Sequence, residues 1–485
     1  MTTAPATAAP PISATGKHTA VIATLLVAAF VMILNETIMG VALPRLMRSL
    51  DINAATGQWL TTAFLLTMAV VIPTTGFLLQ RLSTRAVFLG AMTLFCAGTL
   101  LAGVSPGFWL LLTARVVQAS GTAIMLPLLM TTILTLVPLE HRGRVMGNVS
   151  IVISVAPAIG PTLSGLILHY LSWRFMFLLV LPVALAALAY GALRLANVGE
   201  VGTKSLDVTS VLLSVPAFGG LVFGLSRIGE SSGGQLVVPV AALVLSVICL
   251  GLFGWRQITL QARGNPLLDL RVFGYPMFRV GTALLVITMM GLFSVVVLLP
   301  LYLQNIHGLG SLATGLLLLP GGLLMGLLAP GVGRLFDRYG PRGLTTLGAT
   351  LVTVALWRFS AATPQTPIWL LLAIHVLLSL GLACLFTPGF TTALNPLPPS
   401  LYSHGSATLT TLQQVAGAAG TALLVTVFTA HALRLSAQGA PQAAAQAAGL
   451  QTAFLLAAGI ASIGIVLALF LRSPREGEQG APSER

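Results

Sequence analysis

Runs of about twenty apolar residues, separated by short polar segments, follow one another along almost the whole chain. A helix that crosses a bilayer needs roughly 20 such residues, because each residue adds about 1.5 Å to its length. The pattern therefore predicts an all-α membrane protein with fourteen transmembrane helices. The predicted spans cover residues 20–43, 57–79, 86–104, 108–133, 146–169, 174–194, 208–227, 236–255, 277–302, 312–333, 342–360, 366–390, 408–432 and 450–471.

The composition points to a lipid bilayer as the main solvent. Hydrophobic residues make up 56% of the chain and charged residues 7%, which excludes a water-soluble fold with a charged surface. The run that begins at Ala20 has no small-residue cleavage site, so it is interpreted as a retained first span. The three cysteines lie inside apolar runs, and nothing in the sequence predicts a disulfide, a metal site or a bound cofactor.

The basic residues predict the orientation of the spans. If the amino terminus is placed in the cytoplasm, 17 of the 24 lysines and arginines fall on the cytoplasmic side, six fall on the opposite side, and Arg115 lies inside a span. Cytoplasmic loops are the ones enriched in lysine and arginine, so both termini are expected in the cytoplasm. The net charge of +13 is a result of this topology, and nucleic-acid binding is not expected.

A repeated arrangement of residues relates two parts of the chain. The residues Gly76, Gln80, Arg81 and Arg85 after the second span recur with the same spacing after the tenth as Gly333, Asp337, Arg338 and Arg342. Repeated halves around a central site are a transporter architecture. We therefore expect six-helix halves at 20–194 and 277–471, a linker with two additional helices at 195–276, and cytoplasmic tails at 1–19 and 472–485.

Glu36 is the one acidic residue of eleven that falls inside a predicted apolar span. A charge at the centre of a bilayer costs about 3 kcal/mol on insertion scales, and such residues usually line a cavity or a proton path. Glu36 is therefore a candidate for proton coupling, as a group that binds and releases a proton when its access alternates. The alternative is a glutamate near the outer end of the first span that reaches the lipid headgroups.

Arg115 and His375 are the other candidate coupling residues. The guanidinium of Arg115 needs an acceptor inside the fourth span, and pairing with Glu36 would form a switch that protonation of Glu36 opens. The alternative is a structural arginine bonded to carbonyl groups. His375 lies in the twelfth span, which the repeat relates to the fourth. It is either a second titrating group or a histidine that is simply hydrogen-bonded.

Further residues are candidates for conformational change and for substrate contact. The paired loops can bond to helix ends of the opposite half and hold one conformation closed, whereas the alternative is a solvated basic loop. Prolines and small residues in the fifth span suit a hinge or a close helix contact, or an ordinary membrane kink: Pro157, Gly160, Pro161 and Gly165. Candidate lining residues of a substrate site are Asn35, Phe64, Met68, Gln118, Met125, Tyr302 and Gln304.

These motifs resemble the major facilitator superfamily, and within it the fourteen-span drug:proton antiporters. Residues 34–44 resemble the first-span motif, with Asn35 in place of the usual aspartate and Glu36 beside it. Residues 333–342 are similar to the cytoplasmic gating loop, and Arg115 resembles the arginine of the fourth-span motif. Gly160-Pro161 resembles the antiporter motif of the fifth span, which favours export over uptake. The Asn-Glu pair also resembles exporters of the lincomycin type.

The resemblance implies a function as well as a fold. It implies a major facilitator fold and proton-coupled export of small amphiphilic compounds, such as drugs or antibiotics, by alternating access. The proton gradient would drive transport without a cofactor, in a monomer located in a bacterial plasma membrane. The alternatives are a dedicated exporter of one natural product, an uptake symporter on the same fold, or a membrane sensor. No motif of an enzyme is present.

Overall fold

The computed structural model describes residues 13–52, 54–198, 207–228 and 236–472. Within these ranges the chain is helical apart from short turns, and it contains no strand. The prediction of an all-α fold is therefore confirmed. The α-helices are Ser13–Leu50 (α1), Ala54–Arg81 (α2), Thr84–Gly103 (α3), Phe108–Leu136 (α4), Arg142–Tyr170 (α5), Phe175–Leu178 (α6), Val180–Arg194 (α7), Val208–Ser214 (α8), Gly220–Ile228 (α9), Val237–Ala262 (α10), Pro276–Asn305 (α11), Ser311–Tyr339 (α12), Pro341–Ser360 (α13), Ile368–Leu394 (α14), Tyr402–Ala437 (α15) and Gln442–Phe470 (α16).

Thirteen of the described helical segments are long and apolar enough to cross a membrane. The predicted span 342–360 is outside this set, although it forms the 20-residue helix α13. Arginines near both ends and several threonines make α13 more polar than its neighbours. Three of these threonine hydroxyls, those of Thr345, Thr350 and Thr353, bond to carbonyl oxygens of the preceding turn. The count of fourteen spans stays a prediction.

Many helices are longer than the predicted spans, and this changes the description of the gating loops. Helix α1 continues to Leu50, beyond the predicted end at residue 43. A helix of 28 or 29 residues, such as α2 or α12, is about 42 Å long, enough to reach through the headgroup region. Gln80 and Asp337 therefore lie in the last turns of α2 and α12, and the connecting turns themselves are very short. Most of the predicted tails, and residues 199–206 of the linker, lie outside the described residues.

Successive long helices are antiparallel, so their turns alternate between two faces of the molecule. We call one of them the basic face, formed by the turns 82–83, 137–141, 263–275, 340 and 395–401. On this face α2 and α12 end and their neighbours α3 and α13 begin. The starts of α2 and α12 are 257 residues apart, and so are the starts of α3 and α13. The helix positions therefore follow the repeat that the sequence shows.

Two groups of helices meet along two lines of contact. Helices α1 to α7 form the first group in chain order, and α11 to α16 form the second. Helix α5 packs against α12 over its length, from Gly143 beside Gly333 at the basic face to Thr162 beside Gly315 nearer the other face. On the other side of the molecule, α2 packs against α15. The division into halves with the predicted boundaries stays a prediction.

The helices between the two groups form a hairpin that we call the inserted pair, residues 207–228 and 237–262. The first arm of the hairpin consists of α8, a π-helical turn Val215–Gly219 and α9, and the second arm is α10. Asp207 caps α8 by accepting a hydrogen bond from the Ser210 amide, and Arg256 of α10 donates to both of its carboxylate oxygens at 2.7 Å. This guanidinium holds the pKa of Asp207 well below its usual range.

Candidate functional site

Two consecutive side chains of α1, Asn35 and Glu36, face different neighbours. Successive residues of an α-helix are about 100° apart around its axis, so their side chains point in different directions. Asn35 is buried and accepts a hydrogen bond from the Arg115 guanidinium of α4 at 3.3 Å. Glu36 instead lines a small cavity between the helix groups. The acidic group and the guanidinium therefore have separate sites within one helix turn.

Arg115 is almost completely buried and is bonded to neutral acceptors. Its guanidinium donates to the Gln118 side chain at 2.6 Å and to the Leu60 carbonyl of α2 at 3.4 Å, in addition to Asn35. It also lies over the Phe64 ring, 4.0 Å from the ring centre. Several neutral acceptors and an aromatic face thus stabilise a charge that has left water. This environment joins α1, α2 and α4 around one cation.

The structure differs from the hypothesis that Glu36 and Arg115 form an ion pair. Across the described part of the chain, no ion pair joins these two side chains, and the acceptor from α1 is Asn35. Gln118 also donates to Thr99 of α3 at 2.8 Å, so it extends the same network to a fourth helix. A role of Arg115 in proton coupling and the alternative of a structural arginine both stay predictions.

The cavity beside Glu36 lies where α1, α2, α4 and α15 meet. It has a volume of about 20 Å³, which is enough for one water molecule. Its lining is apolar except for Glu36, Thr122 and Thr410, and the other residues are Ala29, Met32, Ile33, Met68, Ile72, Ala123, Met125 and Leu126. Thr410 comes from the second helix group, so the wall of this cavity is closed only when the groups are together.

The predicted lining residues fall into three places. Met68 and Met125 line the cavity beside Glu36. Asn35, Phe64 and Gln118 instead surround Arg115, so they support the guanidinium. Tyr302 is buried within the second group, where its hydroxyl donates to the Thr363 carbonyl, and Gln304 is exposed at the end of α11 opposite the basic face. Neither of these last two lies at the cavity.

The motif of the fifth span brings α5 into contact with α1 and α12. The backbone of Gly160 lies so close to the Thr37 hydroxyl of α1 that a Cβ atom would overlap it. Gly165, one turn further along, faces Leu312 of α12. Helix α5 continues through both Pro157 and Pro161. The small residues therefore allow one helix to touch both the residue after Glu36 and the opposite group.

At the basic face, Asp337 of α12 caps the first turn of α5. Its carboxylate accepts hydrogen bonds from the backbone amides of Gly143 and Arg144, both at 2.9 Å. These amides have no partner within their own helix, and the positive end of the helix dipole favours an acidic group there. Gly333, one turn earlier, is in direct contact with the Gly143 backbone. The predicted bond between a loop acid and a helix end of the other half is thus present in the geometry.

The first copy of the gating motif also contacts the second group. The Gln80 amide donates to the Ser400 carbonyl at 3.0 Å, and Gly76 packs against His404 of α15. Arg85 instead bonds within the first group, to the Ala192 carbonyl. The three remaining arginines of the motif, Arg81, Arg338 and Arg342, have exposed side chains at this face. The acid of the second copy therefore makes contacts that the glutamine of the first copy cannot reproduce.

Arg142 is an inter-group contact that the sequence analysis did not single out. It is the first residue of α5, is 5% exposed, and donates to the Leu134 and Val137 carbonyls at the end of α4. It also donates across the interface to Asn395 at 3.2 Å and to the Tyr402 hydroxyl at 3.0 Å. Tyr402 is the first residue of α15, so the contact joins the first turns of two helices at the basic face. In the sequence Arg142 resembles the other basic residues between spans, and no pattern predicted this contact.

His375 lies inside the second group, on α14. One ring nitrogen is 3.2 Å from the Leu318 carbonyl of α12, and the ring packs against Gly321. The other ring nitrogen, Nδ1, is buried and has no hydrogen-bond partner among the described residues. His375 thus contacts neither Glu36 nor Arg115, and a role in proton coupling would have to be separate from theirs.

Residues 25–421 match the sequence model of the Major Facilitator Superfamily, which is more than half of the chain. The chain belongs to this superfamily. The chain is also similar to the lincomycin resistance protein LmrB of Listeria monocytogenes, with 44% identity over 460 residues that cover 94% of this chain and 97% of that protein. It is 42% identical to the LmrB protein of Bacillus subtilis over 455 residues, which cover 92% and 94%.

Solved structures of Major Facilitator transporters have the same fold. The crystal structure of the human organic anion transporter MFSD10 (TETRAN) superposes with a TM-score of 0.66 at 16% identity, and the match covers 95% of this chain and all of that one. The match to the superfamily model and the LmrB relatives identify the protein as a multi-pass membrane transporter and not an enzyme. The family resemblance inferred from the sequence is therefore confirmed.

Replacing Arg115 with lysine is expected to weaken both the fold and transport. A lysine ammonium cannot reach three acceptors on different helices and loses the stacking on Phe64. We expect a loss of about 2–4 kcal/mol in the free energy of unfolding, by analogy with broken buried polar networks, and at least a tenfold loss of transport. Thermal unfolding of the purified variant measures the first effect. Arg358→Lys, an exposed arginine at the end of α13, is the matched control. Equal melting temperatures of the two variants would contradict this role.

Proposed function

We propose that this Major Facilitator transporter is a proton-coupled exporter of small amphiphilic compounds, including lincomycin. One observation carries the proposal: the carboxyl group of Glu36 lines an otherwise largely apolar cavity between the two helix groups. In such a place an ionised carboxylate is poorly solvated, so a proton or a polar group of a substrate stabilises it. If the site binds either a proton or a substrate, but not both, the protein carries the two across the membrane in opposite directions.

The contacts between the helix groups support an assignment of the conformational state. Asp337 to α5, Arg142 to Tyr402 and Gln80 to Ser400 all lie at the basic face. We place this face in the cytoplasm, with both termini, because of the excess of lysine and arginine there. The molecule is then closed toward the cytoplasm, which is the state in which a proton from outside reaches Glu36 and a substrate leaves.

The neighbours of Glu36 provide a route from protonation to movement of the helix groups. Asn35 is bonded to Arg115, so α1 is tied to α2 and α4 on one side. Thr37 is packed against Gly160, so α1 is tied to α5 on the other side. When Glu36 loses or gains a proton, a shift of α1 moves both contacts together. Helix α5 then transmits the change to α12 along the interface between the groups.

The lining of the cavity supports amphiphilic substrates. Met32, Met68 and Met125 provide three flexible and polarizable side chains around Glu36. Such side chains adapt to apolar groups of different shape, while Thr122 and Thr410 offer hydroxyl oxygens. In the cytoplasm-closed state the cavity has room for only one water molecule, so a substrate site would form as the groups separate. The protein would work as a monomer in the plasma membrane, without a cofactor.

The proposal is tested in inside-out membrane vesicles whose lumen has been acidified by respiration. Addition of lincomycin should make the lumen more alkaline, because each substrate molecule that enters is exchanged for protons that leave. Vesicles without the protein are the control. A response to one compound in a broad antibiotic panel would identify a dedicated exporter. Absence of any response to lincomycin and to the panel would contradict proton-coupled export.

A further inference from the structure

The inserted pair lies across only one of the two lines of contact between the helix groups. It packs against α2 of the first group and α15 of the second, which also pack against each other. Within the described ranges, no corresponding element lies across the line between α5 and α12. The two lines are equivalent in the repeat, so the inserted pair makes the molecule asymmetric.

An apolar cluster, distinct from the main core, joins the inserted pair to both groups. Phe218 and Phe253 of the pair meet edge to face, with ring centres 5.5 Å apart. They pack with Phe77 of α2 and Ala407 of α15 in the half of the molecule nearer the basic face. Leu267 of the segment that follows α10 completes the cluster at that face. The cluster therefore contains side chains from both sides of the line between α2 and α15.

A buried glutamine fixes the segment that follows the inserted pair. The Gln257 side chain donates to Ser210 at 2.8 Å and accepts from the backbone amides of Leu267 and Leu268 at 2.8 and 3.1 Å. Gln257 is completely buried, so these bonds replace all of its contacts with water. These bonds hold the segment against the ends of α2 and α15 that lie at the basic face.

The same segment contains a buried aspartate that lies near the first copy of the gating motif. Asp269 is 2% exposed and forms an ion pair with Arg271, and it lies near His404 of α15. His404 in turn packs against Gly76 of α2. At the other end of the pair, Phe223 stacks on Trp59 of α2 with ring centres 5.9 Å apart. The inserted pair thus contacts the first group near both faces of the molecule.

We propose that the inserted pair is a clamp that stabilises the conformation in which the basic face is closed. Separation of α2 from α15 at this face would break the van der Waals packing of the apolar cluster around Phe218 and Phe253, and closure restores it. Because lipid is as apolar as these side chains, it is this close packing that favours the closed state over the open one. The clamp would therefore raise the fraction of molecules in the cytoplasm-closed state, from which the substrate is released to the outside. This inference rests on alternating access as described under the proposed function.

The clamp is tested by measuring the distance between the two groups at the basic face. Spin labels are attached to Ala86→Cys and Ser400→Cys, two exposed positions of the first and second group, after Cys384 is replaced by alanine. Cys96 and Cys249 are buried and can remain. The protein is studied in lipid nanodiscs without substrate or a pH gradient. The distribution of distances gives the populations of the closed and open states.

We expect Phe253→Ala to increase the ratio of open to closed molecules by about tenfold, since loss of its ring leaves a cavity in the cluster that contains Phe77 of α2 and Ala407 of α15. Ile248→Ala is the matched control, because Ile248 is on the same helix and 55% exposed. If Phe253→Ala does not fold, Phe253→Leu should give a smaller shift in the same direction. Distributions of the folded Phe253 variant that match those of Ile248→Ala and the parent would overturn the clamp. The distance measurement does not depend on proton coupling. A failure of the clamp can therefore be distinguished from a failure of proton-coupled export.

Discussion

Replacing Glu36 with glutamine is expected to reduce uphill, proton-driven export to the level of membranes without the protein. Glutamine has nearly the same shape as glutamate but cannot bind and release a proton between pH 5 and 8. Glu36 forms no hydrogen bond or ion pair with another described side chain that the substitution would break, so the variant should fold. Exchange of substrate at equal pH on both sides should remain, because it needs no net proton movement.

The control for this prediction is Glu140→Gln, which makes the same chemical change at an exposed position on the basic face. It should transport like the parent. Radiolabelled lincomycin is followed in vesicles with and without a pH gradient, and the melting temperature of each purified variant checks the fold. Gradient-driven accumulation by a folded Glu36→Gln variant would show that another group carries the proton.

Replacing Gly333 with valine is expected to prevent closure at the basic face. The Gly333 backbone is in direct contact with Gly143 of α5, so a side chain would push α5 and α12 apart beside Asp337. Overpacking of this kind costs about 1–3 kcal/mol, and only the closed state has the contact. The ratio of closed to open molecules should fall by about tenfold or more, and export should fall with it.

Gly331→Val provides a closely matched control for this prediction. Gly331 is two residues earlier on α12 and has open space where a Cβ atom would lie, so its substitution has the same cost in helix propensity without the clash. The distance between labels at positions 86 and 400 measures closure. Similar distance distributions for the two valine variants would contradict the role of the Gly333–Gly143 contact.

The sequence predicted the helices and the repeat because both depend on periodic local patterns. Apolar runs place the spans, and the repeat relates the ends of α2 and α12. The ends of the helices were less predictable: helices continue into the headgroup region, where apolar and polar residues mix. Gln80 and Asp337 were therefore assigned to loops, although they lie in the last turns of α2 and α12.

The partner of Arg115 could not be predicted from the sequence. Asn35 and Glu36 are adjacent, and charge alone favours the glutamate as the acceptor. Which of the two faces α4 depends on the rotation of α1 about its axis, and this is decided by packing against α4 and α5. The position of Tyr302 has the same explanation, because its hydroxyl reaches a carbonyl in the turn after α13 that only the tertiary structure brings near.

The central claim is that protons drive substrate movement through this protein, and proteoliposomes test it most directly. Lincomycin uptake is measured with an acidic lumen and with equal pH, in liposomes with the parent protein and in protein-free liposomes that correct for passive trapping of a basic compound. The account predicts accumulation above the protein-free level only when the lumen is acidic, and its collapse when a proton ionophore removes the gradient. Uptake by the protein that is unchanged by the gradient would contradict proton-coupled export.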